Sequence, residues 1–331
     1  MDSLTQIALG IATAELYAGD KLGRRTFLYG AILGTLPDLD IVVGKFLDPV
    51  SGVAIHRGLS HSLFLFMAIA PLLGRIIARM EKGRISLSNA STLAFWCLLT
   101  HVLLDMFTSW GTQVFWPLPH RVAFKTIFVV DPLYTVPLLT CIIIAWRKKD
   151  FGLRKKYVLR GVYISSAYLA LTCGIKLYAW QKFANALEQQ NIAYSGLIVK
   201  PTAFNCILWN ANVETEDAYL LGDYSLFDSR PITFKRYQKN IALAKDLARN
   251  RDFQTLQDVS EGWYIVTKNN GQYYFNDLRF GLLNDDPAHP QFAFSYVFKE
   301  ENGILKAYEV PKEKRDGKKL LKGILERIGG N

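Results

Sequence analysis

The chain has 331 residues, of which 50% are hydrophobic and 13% aromatic, and it carries 39 Lys and Arg against 29 Asp and Glu. This composition excludes disordered, collagen-like and coiled-coil proteins. Residues 1–180 hold 19 basic and 10 acidic side chains, whereas residues 181–331 hold 20 and 19. The two parts differ in charge, and about two domains are expected for this length. The four cysteines show no CxxC spacing, so a disulfide framework or a cysteine metal site is not indicated.

Apolar stretches separated by short polar or basic links occupy the first part of the chain. They lie at roughly residues 3–18, 26–43, 62–79, 90–107, 128–146 and 158–180. Several approach the ~20 residues that a helix needs to cross a bilayer. The sequence therefore predicts that residues 1–180 form a mainly α-helical, polytopic membrane bundle of about five or six membrane helices. A soluble bundle of buried helices is the alternative.

Three of the links are rich in Lys and Arg, at residues 21–25, 75–84 and 147–156. The positive-inside rule makes these links cytoplasmic, so residues 181–331 are expected on the other side of the membrane. The same basic residues attract anionic lipid headgroups of the bilayer. We expect no nucleic-acid partner, because no aromatic and basic surface motif accompanies them.

After about residue 190 the pattern shortens to runs typical of strands. Residues 269–271 (Asn-Asn-Gly) and 301–303 (Glu-Asn-Gly) predict tight hairpin turns. An amphipathic helix is predicted at 237–250, and a basic tail or solvated helix at 312–322. Residues 181–331 are thus expected to form a small α+β domain with an antiparallel sheet. The predicted strands lie at 203–213, 218–224, 263–267, 272–278, 292–299 and 304–310.

Ionisable side chains lie beside several apolar stretches, where they are costly unless they face a protein interior. Asp38 and Asp40 follow Pro37 at the end of the second stretch. Proline favours an extended chain, in which residues i and i+2 share a side, so both carboxylates could bind one cation. A simple polar turn is the alternative.

Two histidines open the third stretch. His56 is expected in a loop and His61 in the first helical turn, with Ser60 as a candidate N-cap. Neutral imidazoles are favoured ligands of zinc and related divalent ions, although a structural role fits either histidine taken alone. Arg57, between them, either balances a substrate anion or anchors the chain at the lipid headgroups.

The fourth stretch contains His101 and Asp105, four residues apart. This spacing places both side chains on one face of a helix that is otherwise almost entirely apolar. The pair indicates a joint metal site, or a ligand with its supporting carboxylate. A hydrogen bond within the helix is the alternative.

Asp131, before Pro132, opens the fifth stretch, where an ordinary helix N-cap also explains it. Under the predicted orientation it lies at the same, non-cytoplasmic end of its stretch as the other candidates. His120 and His289 have no such neighbours and are predicted to lie at the surface. Seven side chains are therefore predicted to line one cavity: Asp38, Asp40, His56, His61, His101, Asp105 and Asp131.

Five motifs over residues 1–180 together resemble the YdjM-like inner-membrane metal-dependent hydrolases of bacteria. The resemblance implies a multi-pass hydrolase of the bacterial inner membrane, with a divalent-metal site built from the seven side chains. Many members have histidine after the N-terminal threonine, where this chain has Gln6, so one coordination position is altered if that histidine is a ligand. The motifs are 1–6 (MDSLTQ), 36–40 (LPDLD), 56–62 (HRGLSHS), 101–105 (HVLLD) with 108–113 (TSWGTQ), and 130–134 (VDPLY).

Three imidazoles and four carboxylates exceed the ligands of one four-coordinate ion. Either two divalent ions are bound, or carboxylates such as Asp40, Asp105 and Asp131 act as general base or support the ligands. Zn²⁺ is the expected metal, with Mn²⁺ as the other candidate. Such a site at the membrane face suits hydrolysis of phosphoesters in lipids or lipid-linked substrates. A divalent-metal transporter and a non-catalytic, stress-linked membrane scaffold are the alternatives.

Overall fold

The computed structural model describes residues 1–283, 290–311 and 317–331. Its contacts divide the chain into two compact units. The first unit contains residues 1–43, 55–174 and 203–205, and the second contains 44–54, 175–202 and 206–331. The predictions for His289 and for residues 312–316 fall outside the described residues.

All six predicted apolar stretches contain a helix, although the helix of the fifth stretch begins only at Pro132. Two short 3-10 turns connect helices near the candidate residues, the first at Leu36–Leu39 and the second at Leu59–His61. Helix α8 has 39 residues and passes from the first unit into the second. The helices up to this point are α1 (Ser3–Leu22), α2 (Arg25–Thr35), α3 (Asp40–Gly44), α4 (Pro49–Ile55), α5 (Leu63–Met80), α6 (Leu87–Asp105), α7 (Pro132–Trp146) and α8 (Phe151–Gln189).

Within the described residues, four helical segments are long and apolar enough to cross a membrane. Helix α7 is equally apolar but has only 15 residues. Large apolar side chains such as Leu28 and Leu72 are exposed on these helices, as expected where a protein meets lipid. The predicted helical membrane bundle is confirmed, but four described segments reach spanning length where about five or six membrane helices were expected. Its four candidate spans are Arg25–Gly44, Leu63–Met80, Leu87–Asp105 and Phe151–Gln189.

Glycines allow α1 and α2 to approach closely. A Cβ atom added to Gly34 would lie 2.6 Å from the backbone oxygen of Gln6 and 3.1 Å from the Cα atom of Gly10. Gly30, one turn earlier in α2, faces Gly10 in the same way. Small residues four apart are typical of such contacts between membrane helices. The contact places Gln6, near the start of α1, beside the end of α2.

The three basic links meet at one end of the first unit. The Arg25 Nη1 atom lies 2.8 Å from Glu81 Oε2, which joins the first link to the second. Arg24 Nη2 donates to the backbone oxygen of Lys148 at 3.3 Å, which joins the first link to the third. Because α1, α2, α5 and α6 alternate in direction, the start of α1 and the end of α6 lie at the opposite end.

The second unit contains two four-stranded antiparallel sheets, in the orders β1-β2-β3-β4 and β5-β6-β7-β8. Helices accompany the strands, so the predicted α+β class is confirmed. Besides α4 and the end of α8, the described helices of this unit are α9 (Ile241–Leu247), α10 (Arg251–Val259) and α11 (Gly317–Ile328). The strands are β1 (Gly196–Pro201), β2 (Leu208–Glu214), β3 (Ala218–Ser225), β4 (Lys235–Gln238), β5 (Tyr264–Asn269), β6 (Gln272–Leu282), β7 (Phe292–Glu301) and β8 (Ile304–Glu309).

Both predicted hairpins are present. Asn269 pairs with Gln272 across the first turn, and Glu301 pairs with Ile304 across the second. The Asn and Gly residues of both turns have positive φ angles, as a two-residue hairpin loop of this type requires.

Other elements of the second unit differ from the prediction. Strand β1 was missed because it ends in proline, and β4 because its four residues are mostly polar and lie at a sheet edge. The helix predicted at 237–250 begins later, as α9. A further helix, α10, follows because the Asn250 side chain accepts a hydrogen bond from Phe253 N at 2.9 Å and caps it.

Residues 44–54 belong to the second unit although they lie between two membrane segments in the sequence. Val50 of α4 is buried in one apolar cluster with Leu247, Phe253 and Phe275. The chain therefore leaves the first unit after Val43 and returns to it at Ile55, just before His56.

We predict that Gly34→Ala destabilises the helical unit, because the new methyl group collides with the backbone of α1. The expected loss is about 1–3 kcal/mol in the free energy of unfolding, seen as a lower melting temperature in detergent. Gly174→Ala is the matched control, since a Cβ at Gly174 meets no described atom within 4 Å. Equal melting temperatures for Gly34→Ala and the parent would contradict this packing.

Candidate metal centre

Four of the seven predicted side chains converge: Asp38, His61, His101 and Asp105. One ligand atom from each lies within 4.8 Å of the others. His61 Nε2 lies 3.6 Å from Asp38 Oδ1 and 3.3 Å from Asp105 Oδ2. His101 Nε2 lies 3.5 Å from Asp38 Oδ1 and 3.7 Å from Asp105 Oδ2. We call this set the four-residue group.

Three elements supply the four-residue group. The first 3-10 turn presents Asp38, the second ends at His61, and the last two turns of α6 present His101 and Asp105. The spacing of four in α6 places its two side chains on one face, as predicted from the sequence. All but Asp38 are fully buried or nearly so.

The donor set fits a divalent cation. Ligand atoms bonded at 2.0–2.2 Å to a tetrahedral zinc lie about 3.3–3.6 Å apart, close to the imidazole–carboxylate distances of the four-residue group. The Nε2 atoms of His61 and His101 are buried, and the described part of the chain offers them no hydrogen-bond partner. Such buried polar atoms indicate a missing partner, and a cation supplies one.

The backbone of α2 orients His101. Its Nδ1 atom donates to the backbone oxygen of Gly34 at 2.7 Å. In a neutral imidazole this leaves Nε2 with its lone pair directed at the four-residue group. A histidine that ligates a metal commonly donates its other ring N–H in this way.

A relay of hydrogen bonds orients His61. The Nδ1 atom of His61 lies 2.9 Å from Ser60 Oγ, and that hydroxyl donates to Asp40 Oδ2 at 2.7 Å. Because Ser60 gives its own proton to a carboxylate, it accepts from His61 Nδ1–H. Asp40 therefore fixes the orientation of the His61 ring through the Ser60 hydroxyl.

Asp40 and His56 form a pair next to the four-residue group and outside it. The Nδ1 atom of His56 lies 3.0 Å from Asp40 Oδ1, so it donates to that carboxylate. The expectation that Asp38 and Asp40 point to one side is corrected, because the chain here is a 3-10 turn and not extended. Residues two apart in such a turn lie on different sides.

Two further local expectations are corrected. Ser62, and not Ser60, is the N-cap of α5, where its hydroxyl accepts from Phe64 N at 3.3 Å. His61 lies in the second 3-10 turn, before α5 begins, and not in the first turn of that helix. The Ser60 hydroxyl instead forms hydrogen bonds with both His61 and Asp40.

Asp131 lies outside the four-residue group. Its carboxylate accepts hydrogen bonds from Leu133 N and Tyr134 N and caps α7. Its second oxygen accepts from the Tyr168 hydroxyl at 2.9 Å. The N-cap explanation accounts for these contacts, and Asp131 is not among the side chains that converge in the four-residue group.

Arg57 is a buried cation beside the four-residue group. Its Nε atom lies 3.1 Å from Asp105 Oδ2, and its Nη1 atom donates to Thr108 Oγ1 at 2.8 Å. Its φ angle is 58°, a left-handed conformation that is unfavourable for a non-glycine residue. The Asp40 carboxylate holds this conformation, because it accepts from Arg57 N at 2.9 Å. Of the two alternatives in the sequence, headgroup anchor and anion partner, this burial favours the second.

The other oxygen of Asp105 has two partners from the start of the chain. The Met1 ammonium group is buried and pairs with Asp105 Oδ1. Gln6 Nε2 donates to the same oxygen at 2.9 Å. The resemblance marks position 6 as a possible coordination position, but no sequence pattern indicates the Met1 contact, which depends on how α1 packs against α6.

The surroundings of His61 favour a positive charge. Burial alone would lower the pKa of His61, but its contacts with Asp105 and Asp38 outweigh burial and raise it. For His56 the balance is opposite: burial lowers its pKa in spite of Asp40. The two carboxylates therefore favour the protonated, positively charged form of His61.

An apolar groove of about 480 Å³ lies in the first unit, lined by residues of α1, α6, α7 and α8. On α6 it is lined by Thr100 and Leu104, which directly precede His101 and Asp105. The hydroxyls of Thr13 and Thr100 donate to backbone oxygens of their own helices at 2.9 Å. These two hydroxyls therefore need no water molecule in the groove as a hydrogen-bond acceptor.

Comparisons with known proteins agree with the motifs. The family model of the YdjM inner membrane protein matches residues 1–183, more than half of the chain. Inner membrane protein YbcI of Escherichia coli (strain K12) is 38% identical over 95 residues, which are 29% of this chain and 54% of that protein. The chain thus matches about half the length of this curated relative. No solved structure matches the chain.

We predict that His101→Ala sharply reduces divalent-metal binding while the protein still folds and inserts. Loss of a supporting contact typically weakens a metal site about 10–100-fold, so loss of a ligand should do at least that. Metal content and affinity of the purified protein measure it, with the exposed His120→Ala as control. Full metal occupancy in His101→Ala would rule out the four-residue group as the site.

Proposed function

We propose that this protein, which belongs to the YdjM inner membrane protein family, is a membrane-bound, divalent-metal-dependent hydrolase of phosphoesters. One observation carries the proposal: a buried set of two imidazoles and two carboxylates with metal-site spacing has a buried arginine directly beside it. The first feature suits a divalent cation, and the second suits an anionic substrate.

The charges of the site support an anionic substrate. A divalent cation held by Asp38 and Asp105 would balance the two carboxylates. Arg57 and the Met1 ammonium would then remain as positive charges beside Asp105, in an interior where charge is costly unless paired. A guanidinium binds a phosphate group, as it binds a carboxylate, through two parallel N–H donors.

A divalent ion held by the four-residue group would supply Lewis-acid activation of the phosphoester and of the attacking water. The chain's own groups have separate tasks. Arg57 holds the phosphate, while Gly34 and Ser60 fix the ring orientation of the two ligating histidines. His56 donates Nδ1–H to Asp40, so its Nε2 atom is the basic nitrogen that can accept a proton from water. Asp40 stabilises the imidazolium that results.

The apolar groove supports a lipid or lipid-linked substrate. Its walls belong to the membrane bundle, and on α6 they include Thr100 and Leu104, which precede His101 and Asp105 in the chain. A pocket of this size can enclose a flexible ligand. We infer that an acyl or prenyl chain lies in the groove while the phosphate lies beside Arg57. The site would then take its substrates from the bilayer.

The orientation of the protein follows from the basic end of the first unit. Lys and Arg near membrane helices favour the cytoplasmic side, and the basic links meet at the end away from the four-residue group. We therefore infer that the site, and residues 181–331, face the extracytoplasmic side of the bacterial inner membrane.

We predict that metal-loaded protein releases inorganic phosphate from phosphatidic acid, a polyprenyl diphosphate or a soluble phosphomonoester. Arg57→Lys should lower kcat/KM about 100-fold, since a point charge replaces the two parallel donors, and should leave the metal content unchanged. Arg84→Lys at the basic end is the control, because Arg84 is largely exposed. Divalent-cation flux into proteoliposomes, without hydrolysis of any substrate, would indicate the transporter instead.

We predict that a periplasm-dependent reporter fused after Asn331 is active in cells, whereas a reporter that requires the cytoplasm is inactive. A reporter after Lys149, in the third basic link, should show the reverse. Cytoplasmic activity at Asn331 would reverse the orientation and move the site to the inner face.

A further inference from the structure

The amide of Gln6 has a fixed orientation in the site. Its Nε2 atom donates to Asp105 Oδ1 at 2.9 Å and to the backbone oxygen of His101 at 3.2 Å. Both partners are acceptors, and the amide nitrogen has two hydrogens for them. Exchanging the amide nitrogen and oxygen would set the oxygen against two acceptors, so the assignment is determined by its neighbours.

The remaining atom of this amide, Gln6 Oε1, has no partner among the residues that the structure describes. Gln6 is fully buried, so water at the surface does not reach it. The amide oxygen lies about 2.2 Å from its own nitrogen, and therefore close to the Asp105 carboxylate. The Nε2 atoms of His61 and His101 are buried without partners in the same way.

Resting on the metal site of the proposed function, we propose that Gln6 Oε1 supplies a further oxygen donor to the bound cation. It thereby shifts the preference of the site from Zn²⁺ toward Mn²⁺. The amide nitrogen holds Asp105, and the amide oxygen takes part in coordination, so one side chain has both tasks.

Ligand chemistry gives the direction of this shift. Imidazole nitrogen favours zinc, whereas carboxylate and carbonyl oxygens suit harder ions such as manganese. The four-residue group alone provides two nitrogens and two oxygens, a set that fits four-coordinate zinc. The Gln6 amide oxygen would add a fifth ligand, so that three of the five donor atoms are oxygens.

The test compares affinities for the two metals alone, without a substrate. Mn²⁺ and Zn²⁺ dissociation constants are measured by chelator competition on purified protein in detergent, for the parent, Gln6→His and Gln6→Met. Gln6→His replaces the oxygen donor with an imidazole, and Gln6→Met is close in shape but lacks the amide. Thr13→Val is the control on the same helix, because the Thr13 hydroxyl bonds to its own backbone. Melting temperatures verify folding.

We expect Gln6→His to increase the preference for Zn²⁺ over Mn²⁺ at least about tenfold, since a nitrogen ligand replaces an oxygen ligand. Gln6→Met should weaken Mn²⁺ binding about 10–100-fold and Zn²⁺ binding less. Thr13→Val should leave the ratio of the two constants unchanged.

Two results would overturn the inference. An unchanged metal ratio in folded Gln6→His and Gln6→Met would show that the amide oxygen is not a donor. Equal weakening of both metals would show that Gln6 acts only by holding Asp105. If the parent binds neither metal, the proposed function itself fails, so the two failures are distinguishable.

Discussion

Two carboxylates, Asp38 and Asp105, lie in the interior of a helical membrane unit, where an ionised group is stable only with partners of opposite charge or hydrogen-bond donors. The end of the bundle away from the basic links is organised around this constraint. Arg57, the Met1 ammonium and the Gln6 amide surround Asp105. Asp38 has two imidazoles as its near neighbours.

Packing and chemistry are coupled at this end of the bundle. The close contact of α1 and α2 at Gly34 places a backbone oxygen where His101 can donate to it. The relay from His61 through Ser60 to Asp40 fixes the second imidazole. Both ring orientations therefore depend on groups outside the four-residue group. A metal site is held rigidly when such supporting contacts are satisfied.

Much of the fold was predictable because it depends on local patterns. Long apolar stretches gave the membrane helices, and Asn-Gly turns gave two hairpins of the second unit. The pairing of His101 with Asp105 was predictable from a spacing of four on a helix. Each of these signals lies within about 20 residues of sequence.

The rest depends on contacts between distant residues or on unusual backbone. The side chains of Asp38 and Asp40 point to different sides because the chain forms a 3-10 turn around Pro37, where an extended chain was expected. Arg57 enters the site through a left-handed backbone that its residue type does not indicate. Gln6 joins it through the packing of α1 on α6. The residues that support the four-residue group were therefore harder to predict than its ligands.

X-ray absorption spectroscopy of the zinc-loaded protein in detergent tests the central claim most directly, since it reports the atoms bonded to the metal. The account predicts scattering from two imidazole rings together with oxygen ligands, at about 2.0–2.2 Å from zinc. A spectrum with oxygen ligands alone, or with sulfur from the cysteines, would contradict the assignment of Asp38, His61, His101 and Asp105 as the metal site.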